Sequence, residues 1–353
     1  MTWAKGEGGL SKQTGILVAP DSFKGTFSSV QVAQYIAAGI REEGLTAIEC
    51  PLADGGEGTL DVLLLALNGE ERFQSVHGPL GQKVIARWGW VAEKRLAIIE
   101  VAQACGLNLG GGNPTAAFRA STVGVGELVI AAVVFGAEKI IVATGGSATT
   151  DGGQGAVDVL QDHEEALAGI SIEVLSDVTV KFEDAAKVFA PQKGADLATV
   201  DLLNRRLDHV ADLYVNRYGR DPRGLTHTGA AGGLSGALWA AFGAELFSGA
   251  DYVLDLVGFD ELTSAVDAVV LGEGKLDSQS FLGKIVGVAA HRVHDRPVLA
   301  VVGSTGLDVE ESAALGLSRI WVASNPSELC DSGKDVSRWV TSPLNRLNKL
   351  NKY

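Results

Sequence analysis

A chain of 353 residues that is 46% apolar can bury one large or two medium cores, and it is too apolar for extensive disorder. A formal net charge of −14 excludes the basic footprint that nucleic acid or an anionic membrane requires. Cys50, Cys105 and Cys330 are scattered, with no C-x-x-C pair, which argues against a disulfide framework or a zinc site; without a signal-like or membrane-length apolar run, the expected location is the cytoplasm.

In chain order, the apolar run GILVAP (15–20) predicts a buried strand and is followed by a helical pattern near 28–41. AIECPL (47–52) predicts a second strand, with a helix near 57–67. A different texture then sets in: a hairpin from KVIARWGWVA and RLAIIEVA, a helix, the strand KIIVAT, a helix near 152–160, the strand SIEVLSD and a long helix from LATVDLLNRR. The strand–helix alternation returns with DAVVLG (267–272) and a helix near 279–293, PVLAVVG (297–303) and a helix near 309–315, and RIWVAS (319–324). The tail from Ser337 onward predicts a mildly basic helix or a loose end.

The five outer strands predict one doubly wound parallel sheet, over 15–71 and 256–335, interrupted by an inserted α/β domain over 72–255. In the order 2-1-3-4-5 the strand order reverses between the strands ending at Pro20 and Gly272, and ligands bind at the carboxyl ends of strands beside such a switch point.

Forty-five glycines cluster in a few loops, which marks special backbone geometry there. VAPDSFKG places Asp21, Ser22 and Lys24 at the first strand's end; Asp21 or Ser22 could cap the following helix. LADGGEGT sets Asp54 and Glu57 around Gly55 and Gly56, a spacing that also fits a capping box. TGGSATTDGGQG carries Gly145, Gly146, Ser147, Asp151, Gly152 and Gly153 and suits an anion nest, although no P-loop pattern is present. FAPQKGAD offers Lys193, and GAAGGLSGAL brings Gly232 to a helix start. LGEGKLDSQSFLGK gathers Glu273, Lys275, Asp277 and Lys284, the last about two turns along its helix: carboxylates for a metal and ammonium groups for phosphate.

Taken together, VAPDSFKGTFSS, PLADGGEGT, GPLGQKV, VAQACGLNL, TGGSATTDGGQG, VFAPQKGAD, GAAGGLSGAL and LGEGKLDSQSFLGK, in that order from about 15 to 325, resemble the glycerate kinase type-1 family. The resemblance implies a flavodoxin-like domain interrupted by a second α/β domain, with the active site in the cleft between them. It implies phosphoryl transfer from ATP, with Mg²⁺, to D-glycerate, with 2-phosphoglycerate the favoured product, and it leaves a homodimer open. On that reading Asp54 or Asp151 orients the hydroxyl or accepts its proton, Lys24 and Lys193 hold the substrate or the transferring group, and Glu273, Asp277 and Asp177 lie near the metal. The glycine loops, with Asp21, Ser22, Glu57 and Lys284, bind the anions.

The chain departs from the family pattern in places. QDHEEALAGI is a shortened connection, DVTVKFED (177–184) keeps Asp177 but lacks the family's asparagine and proline, GVGE replaces G-T-G-E, and no proline follows Lys284. These changes bear on specificity, and they set two alternatives beside the first: a kinase of another small hydroxy acid, or a non-catalytic glycerate- or nucleotide-binding regulatory protein.

Overall fold

A computed structural model describes residues 15–277, 280 and 284–343, with Val309 described by its backbone alone. By its contacts the chain divides into two units, one from Asp54 to Gly249 and one made of the residues up to Ala53 and from Ala250 onward. Each is described by itself.

The discontinuous unit begins with β1 (Gly15–Pro20), buried along its whole length, and β2 (Thr46–Glu49). The helix between them, Ser29–Glu42, is closed at its N-terminus by a capping box of Ser28 and Gln31, and it buries Val32, Ala33, Ile36, Ala37 and Ile40 as one stripe. The chain then builds the second unit: β3 (Glu70–His77), β4 (Lys83–Val91), β5 (Leu96–Glu100), β6 (Lys139–Ala143), β7 (Ser171–Ser176) and β8 (Glu245–Ser248). It returns to the first unit with β9 (Ala268–Leu276), β10 (Val298–Thr305) and β11 (Leu317–Val322).

The first sheet has the order β11-β10-β9-β1-β2 with every pairing parallel, so the strand order reverses between β1 and β9, where Pro20 sits opposite Gly272. Strands of such a sheet are covered on both faces, which is why β1, β9 and β10 read as continuous apolar runs. One of the covering layers is the helix Pro326–Thr341, capped by Asn325 and packed on Ser29–Glu42. The two helices meet backbone to backbone: a Cβ on Gly39 would lie 1.8 Å from the Cys330 carbonyl oxygen, and one on Gly333 2.1 Å from that of Ile36.

The second sheet runs in sequence order, β3 to β8, antiparallel through β5 and parallel from there on. The hairpin predicted from KVIARWGWVA and RLAIIEVA is β4 and β5. Two strands escape the pattern reading for physical reasons: β3 (EERFQSVH) is an edge strand with most side chains exposed, and β8 is four residues long. The 54–71 segment, expected with the first sheet, groups with the second, and residues 250–255 group with the first. Packing explains the former: helix Thr59–Leu67 lays Leu60 and Leu64 on β4 at Gly89, where a Cβ would come within 2.7 Å and 2.9 Å of their side chains.

The altered connection after β7 also has a clear anchor. Phe182, fully buried, packs edge-on to Tyr214, and its amide donates to Thr228 Oγ1 at 3.0 Å.

The Gly39 contact is testable. Gly39→Ala forces the two helix backbones apart and lowers unfolding free energy by about 1–3 kcal/mol, the usual range for overpacking. Chemical denaturation of the two proteins measures this; an unchanged midpoint would mean that these helices do not meet as described.

Candidate functional site

The second unit brings together two of the predicted loops. The DGGEG loop enters helix Thr59–Leu67 and the TGGS loop leaves β6; Gly145 N–H donates to the Gly55 carbonyl at 3.3 Å. Their approach requires glycine, because a Cβ on Gly145 would stand 2.4 Å from Gly56 Cα. Gly55, at φ +90°, is hemmed in by Leu175 at the end of β7.

Asp54 is buried on this loop, where its Oδ1 accepts the Gly56 amide at 3.1 Å. The capping box proposed for Asp54 and Glu57 does not form. The helix starts later, at Thr59, after Gly58 in the left-handed region, a position with no side chain to offer, and Glu57 is exposed. Glu100, at the carboxyl end of β5, caps the helix instead: its Oε1 accepts the amides of Gly58 and Leu60, each at 2.8 Å. Sequence reasoning missed Glu100; its one signal was an acid closing the apolar run LAII.

Asp151 is also buried, and its carboxylate, Oδ2 above all, is heavily engaged by donors. Oδ2 accepts from Thr122 N and Oγ1, both at 2.8 Å, from Gly155 N at 3.3 Å and from Ser121 Oγ at 3.4 Å, while Oδ1 accepts from Gly153 N at 3.1 Å. These bonds fasten the start of helix Gln154–Gln161 to the segment before helix Val123–Phe135, which is structural work.

The anion nest is narrower than the sequence suggests. Gly152 donates to the Gly232 carbonyl at 3.0 Å, and Gly153 donates to Asp151. A Cβ on Gly232 would lie 2.0 Å from the Thr149 carbonyl oxygen, and one on Gly153 2.4 Å from the Ala237 Cβ. Gly152 and Gly153 therefore spend their amides inside the fold, Gly232 stands where no side chain fits, and the Gly145 amide is committed to Gly55. Among the described residues, the amides of Gly146 and Ser147 donate to no protein group.

Lys193 is the outstanding cation. It is 3% exposed, lies in a 3₁₀ turn (Pro191–Lys193), and its Nζ donates to Ser147 Oγ at 3.2 Å and to the Thr149 carbonyl at 2.6 Å. Neither acceptor is charged. Burial pushes its pKa down to about 7, against the opposing pull of the Asp151 charge. Ammonium and amides thus converge on one loop whose net bias is toward an anion.

The first unit gathers a second set at the carboxyl ends of β1 and β9. Asp21 is buried, its amide bonded to the Gly272 carbonyl at 2.7 Å and its Oδ1 accepting Ser22 N at 2.6 Å. The helix that follows is capped by Ser28, not by Asp21 or Ser22. Lys24 is exposed in a tight turn closed by Phe23 and Phe27, against which β9 runs at Gly274. Glu273 is 7% exposed, and among the described residues its Oε1 has no hydrogen-bond partner. Burial raises its carboxyl above the ordinary glutamate range, opposed by Ser280 and by the charges of Lys284 and Lys24. Asp277 lies 3.2 Å from Lys275 Nζ.

One expectation changes here. Lys284 does not ride two turns along its helix; its extended backbone makes it the N-cap of Ile285–Arg292, and it is exposed. By sequence Asp277 or Ser278 could cap this helix; Ser278 lies outside the described residues. Asp177 follows β7 in the second unit, whereas Glu273 and Asp277 belong to the first. Among the described residues no three His, Cys, Asp or Glu side chains group as a metal site.

The model of the glycerate kinase family matches residues 16–161 and 157–351. The chain is 37% identical over 329 residues to Glycerate 2-kinase of Escherichia coli K12, covering 83% of this chain and 86% of that protein. It is 36% identical over 327 residues to a glycerate kinase of Bacillus subtilis 168, with 83% and 86% covered. A crystal structure of a putative glycerate kinase 2 from Salmonella typhimurium LT2 superposes with a TM-score of 0.79 at 32% identity, covering 93% of this chain and 98% of that one.

The state of Lys193 has a measurable sign. Its folded pKa of about 7 lies below the unfolded value near 10.5, so between the two the unfolded chain binds the extra proton and folding stability rises with pH. Below about pH 7 both states carry the proton and the burial penalty is felt in full. Relative to Lys193→Met, the native protein gains up to about 1.4 kcal/mol per pH unit across this window. Denaturation curves at pH 7, 8 and 9 test it, and a pH-independent difference between the two proteins would refute the depressed value.

Proposed function

The chain belongs to the glycerate kinase family, and on that premise we propose that it transfers the γ-phosphoryl group of ATP to the 2-hydroxyl of D-glycerate. The observation that carries the site assignment is Lys193, an ammonium buried on uncharged acceptors beside the Gly146 and Ser147 amides. A cation so placed lacks a counter-ion until an anionic ligand, the glycerate carboxylate or the transferring phosphoryl group, supplies one. The choice of the 2-hydroxyl rests on the name of the Escherichia coli relative.

Phosphoryl transfer requires positioning and charge neutralisation more than covalent help from the protein. The acceptor oxygen bonds to phosphorus as the bond from phosphorus to the departing ADP oxygen breaks, and the hydroxyl proton passes to a carboxylate. Asp54 suits this better than Asp151. Five donors occupy the Asp151 oxygens, whereas among the described residues the Asp54 carboxylate accepts a single hydrogen bond, from Gly56. Gly145 packs on Gly56 and Lys193 donates to Ser147 and Thr149, so the cation is hydrogen-bonded to the loop whose backbone touches the one carrying the base.

In the first unit, Glu273 Oε1, without a hydrogen-bond partner among the described residues, fits a cation, and with Asp277 it offers the one or two carboxylates that Mg²⁺ typically takes alongside phosphate oxygens and water. When bound, Mg²⁺ neutralises the charge of the nucleotide phosphates. Glu273 and Asp277 would hold it, and Lys24 and Lys284 would meet phosphate charge.

ADP release that depends on D-glycerate, followed by phosphorus NMR showing 2-phosphoglycerate, is the expected result; no release with either enantiomer of glycerate overturns the proposal. Asp54→Asn and Lys24→Ala should each lower kcat by about a hundredfold or more with the fold intact, the usual scale for a proton acceptor or a charge-stabilising group. A folded variant that keeps near-normal turnover removes its residue from the site.

A further inference from the structure

Glu100 has no place in the chemistry above, yet it is built into the loop that presents Asp54. It is 2% exposed at the end of β5, makes no ion pair among the described residues, and receives one side-chain bond, from Gln103 at 3.3 Å. Its other oxygen takes the amides of Gly58 and Leu60 from about forty residues away in sequence, both at 2.8 Å.

Helix caps are ordinarily local, supplied by the residue that precedes the first turn. Here that residue is Gly58, and the loop before it, Gly55-Gly56-Glu57-Gly58, carries three glycines that could adopt many backbone conformations. Its entry is fixed by the Gly145 bond to Gly55 and its exit by Glu100. Between those two points lies the Gly56 amide, which holds Asp54 Oδ1.

We propose that Glu100 is a positioning residue for catalysis: by clamping the exit of the glycine loop from the end of β5, it fixes the Gly56 amide and through it the orientation of the Asp54 carboxylate. The proposal rests on the reading of Asp54 as the proton acceptor. Its geometry needs an acceptor oxygen with two lone pairs at the reach of Glu100, not a negative charge, so glutamine should serve in its place and alanine should not.

A double-mutant cycle tests this, with kcat and KM for glycerate measured on Glu100→Ala, Glu100→Gln, Asp54→Ala and Asp54→Ala/Glu100→Ala. Glu100→Ala is expected to lower kcat tenfold to a hundredfold with KM changed less than about threefold, Glu100→Gln to stay within about threefold of the native kcat, and the double variant to match Asp54→Ala within about twofold. Additive losses, or a folded Glu100→Gln as impaired as Glu100→Ala, overturn the proposal. If Glu100→Ala does not fold, Glu100→Asn, too short to reach both amides, takes its place in the cycle. Hydrogen exchange separates the two layers of the argument: faster exchange across 54–60 in Glu100→Ala reports the lost clamp whatever Asp54 does, and unchanged exchange refutes the clamp. Near-native turnover in Asp54→Ala, by contrast, refutes the base assignment and with it the proposed catalytic role of Glu100.

Discussion

The contact on which the second unit's chemistry depends is between two stretches of bare backbone. Gly145 lies against Gly56 so closely that a single methyl group would stand 2.4 Å from the facing Cα, and Gly249 meets the Asp54 carbonyl at 2.0 Å on the same measure. Glycines from three distant parts of the chain thereby let the ends of β6 and β8 and the entrance of helix Thr59–Leu67 converge. The buried Asp54 carboxylate hangs from one of the loops so joined, and the buried ammonium of Lys193 is hydrogen-bonded to another. A side chain at any of these positions would separate the loops by ångströms, and reacting groups tolerate far less misplacement than that.

This is why the clustered glycines were legible as important but not as to their purpose. A glycine cluster can leave amides bare for an anion or can let backbones touch, and the sequence around it looks the same in both cases. The partners decide. Gly152 gives its amide to Gly232 and Gly145 to Gly55, residues 80 to 90 positions away, so these amides are spent inside the fold, while those of Gly146 and Ser147 are not. The first sheet was legible for the opposite reason. Strands covered on both faces must be largely apolar, so β1, β9 and β10 announce themselves, and the short helix-bearing connections from β1 to β2 and from β9 to β10 leave few possible orders. The edge strand β3, charged and half solvated, carries no such requirement and gives no such signal.

Capping shows the same limit at the scale of one residue. Asp54 and Glu57 have the spacing of a local cap, and Asp21 stands before another helix, yet the first helix is capped by Ser28 with Gln31 and the second by Glu100. A local pattern states what a residue is able to do; a tertiary acceptor arriving from β5 can do it first. The consequence for function is positive, since a carboxylate relieved of capping duty keeps its remaining lone pairs for chemistry.

Lys193 and Asp151 carry this reasoning from backbone to charge. Both are buried on the same loop system, and each attracts the other's charge, but they are treated in opposite ways: the carboxylate receives five donors and the ammonium two neutral acceptors. A fold that needed only internal neutrality would pair them directly, as buried charges generally are. Fixing the anion with backbone and hydroxyl donors instead leaves the cation's field uncancelled at short range, and burial holds its pKa near neutrality, where the arrival of an anion is enough to favour the protonated form. The unit thus stores an electrostatic preference for a negatively charged ligand, and the cost of storing it falls on folding stability at and below neutral pH.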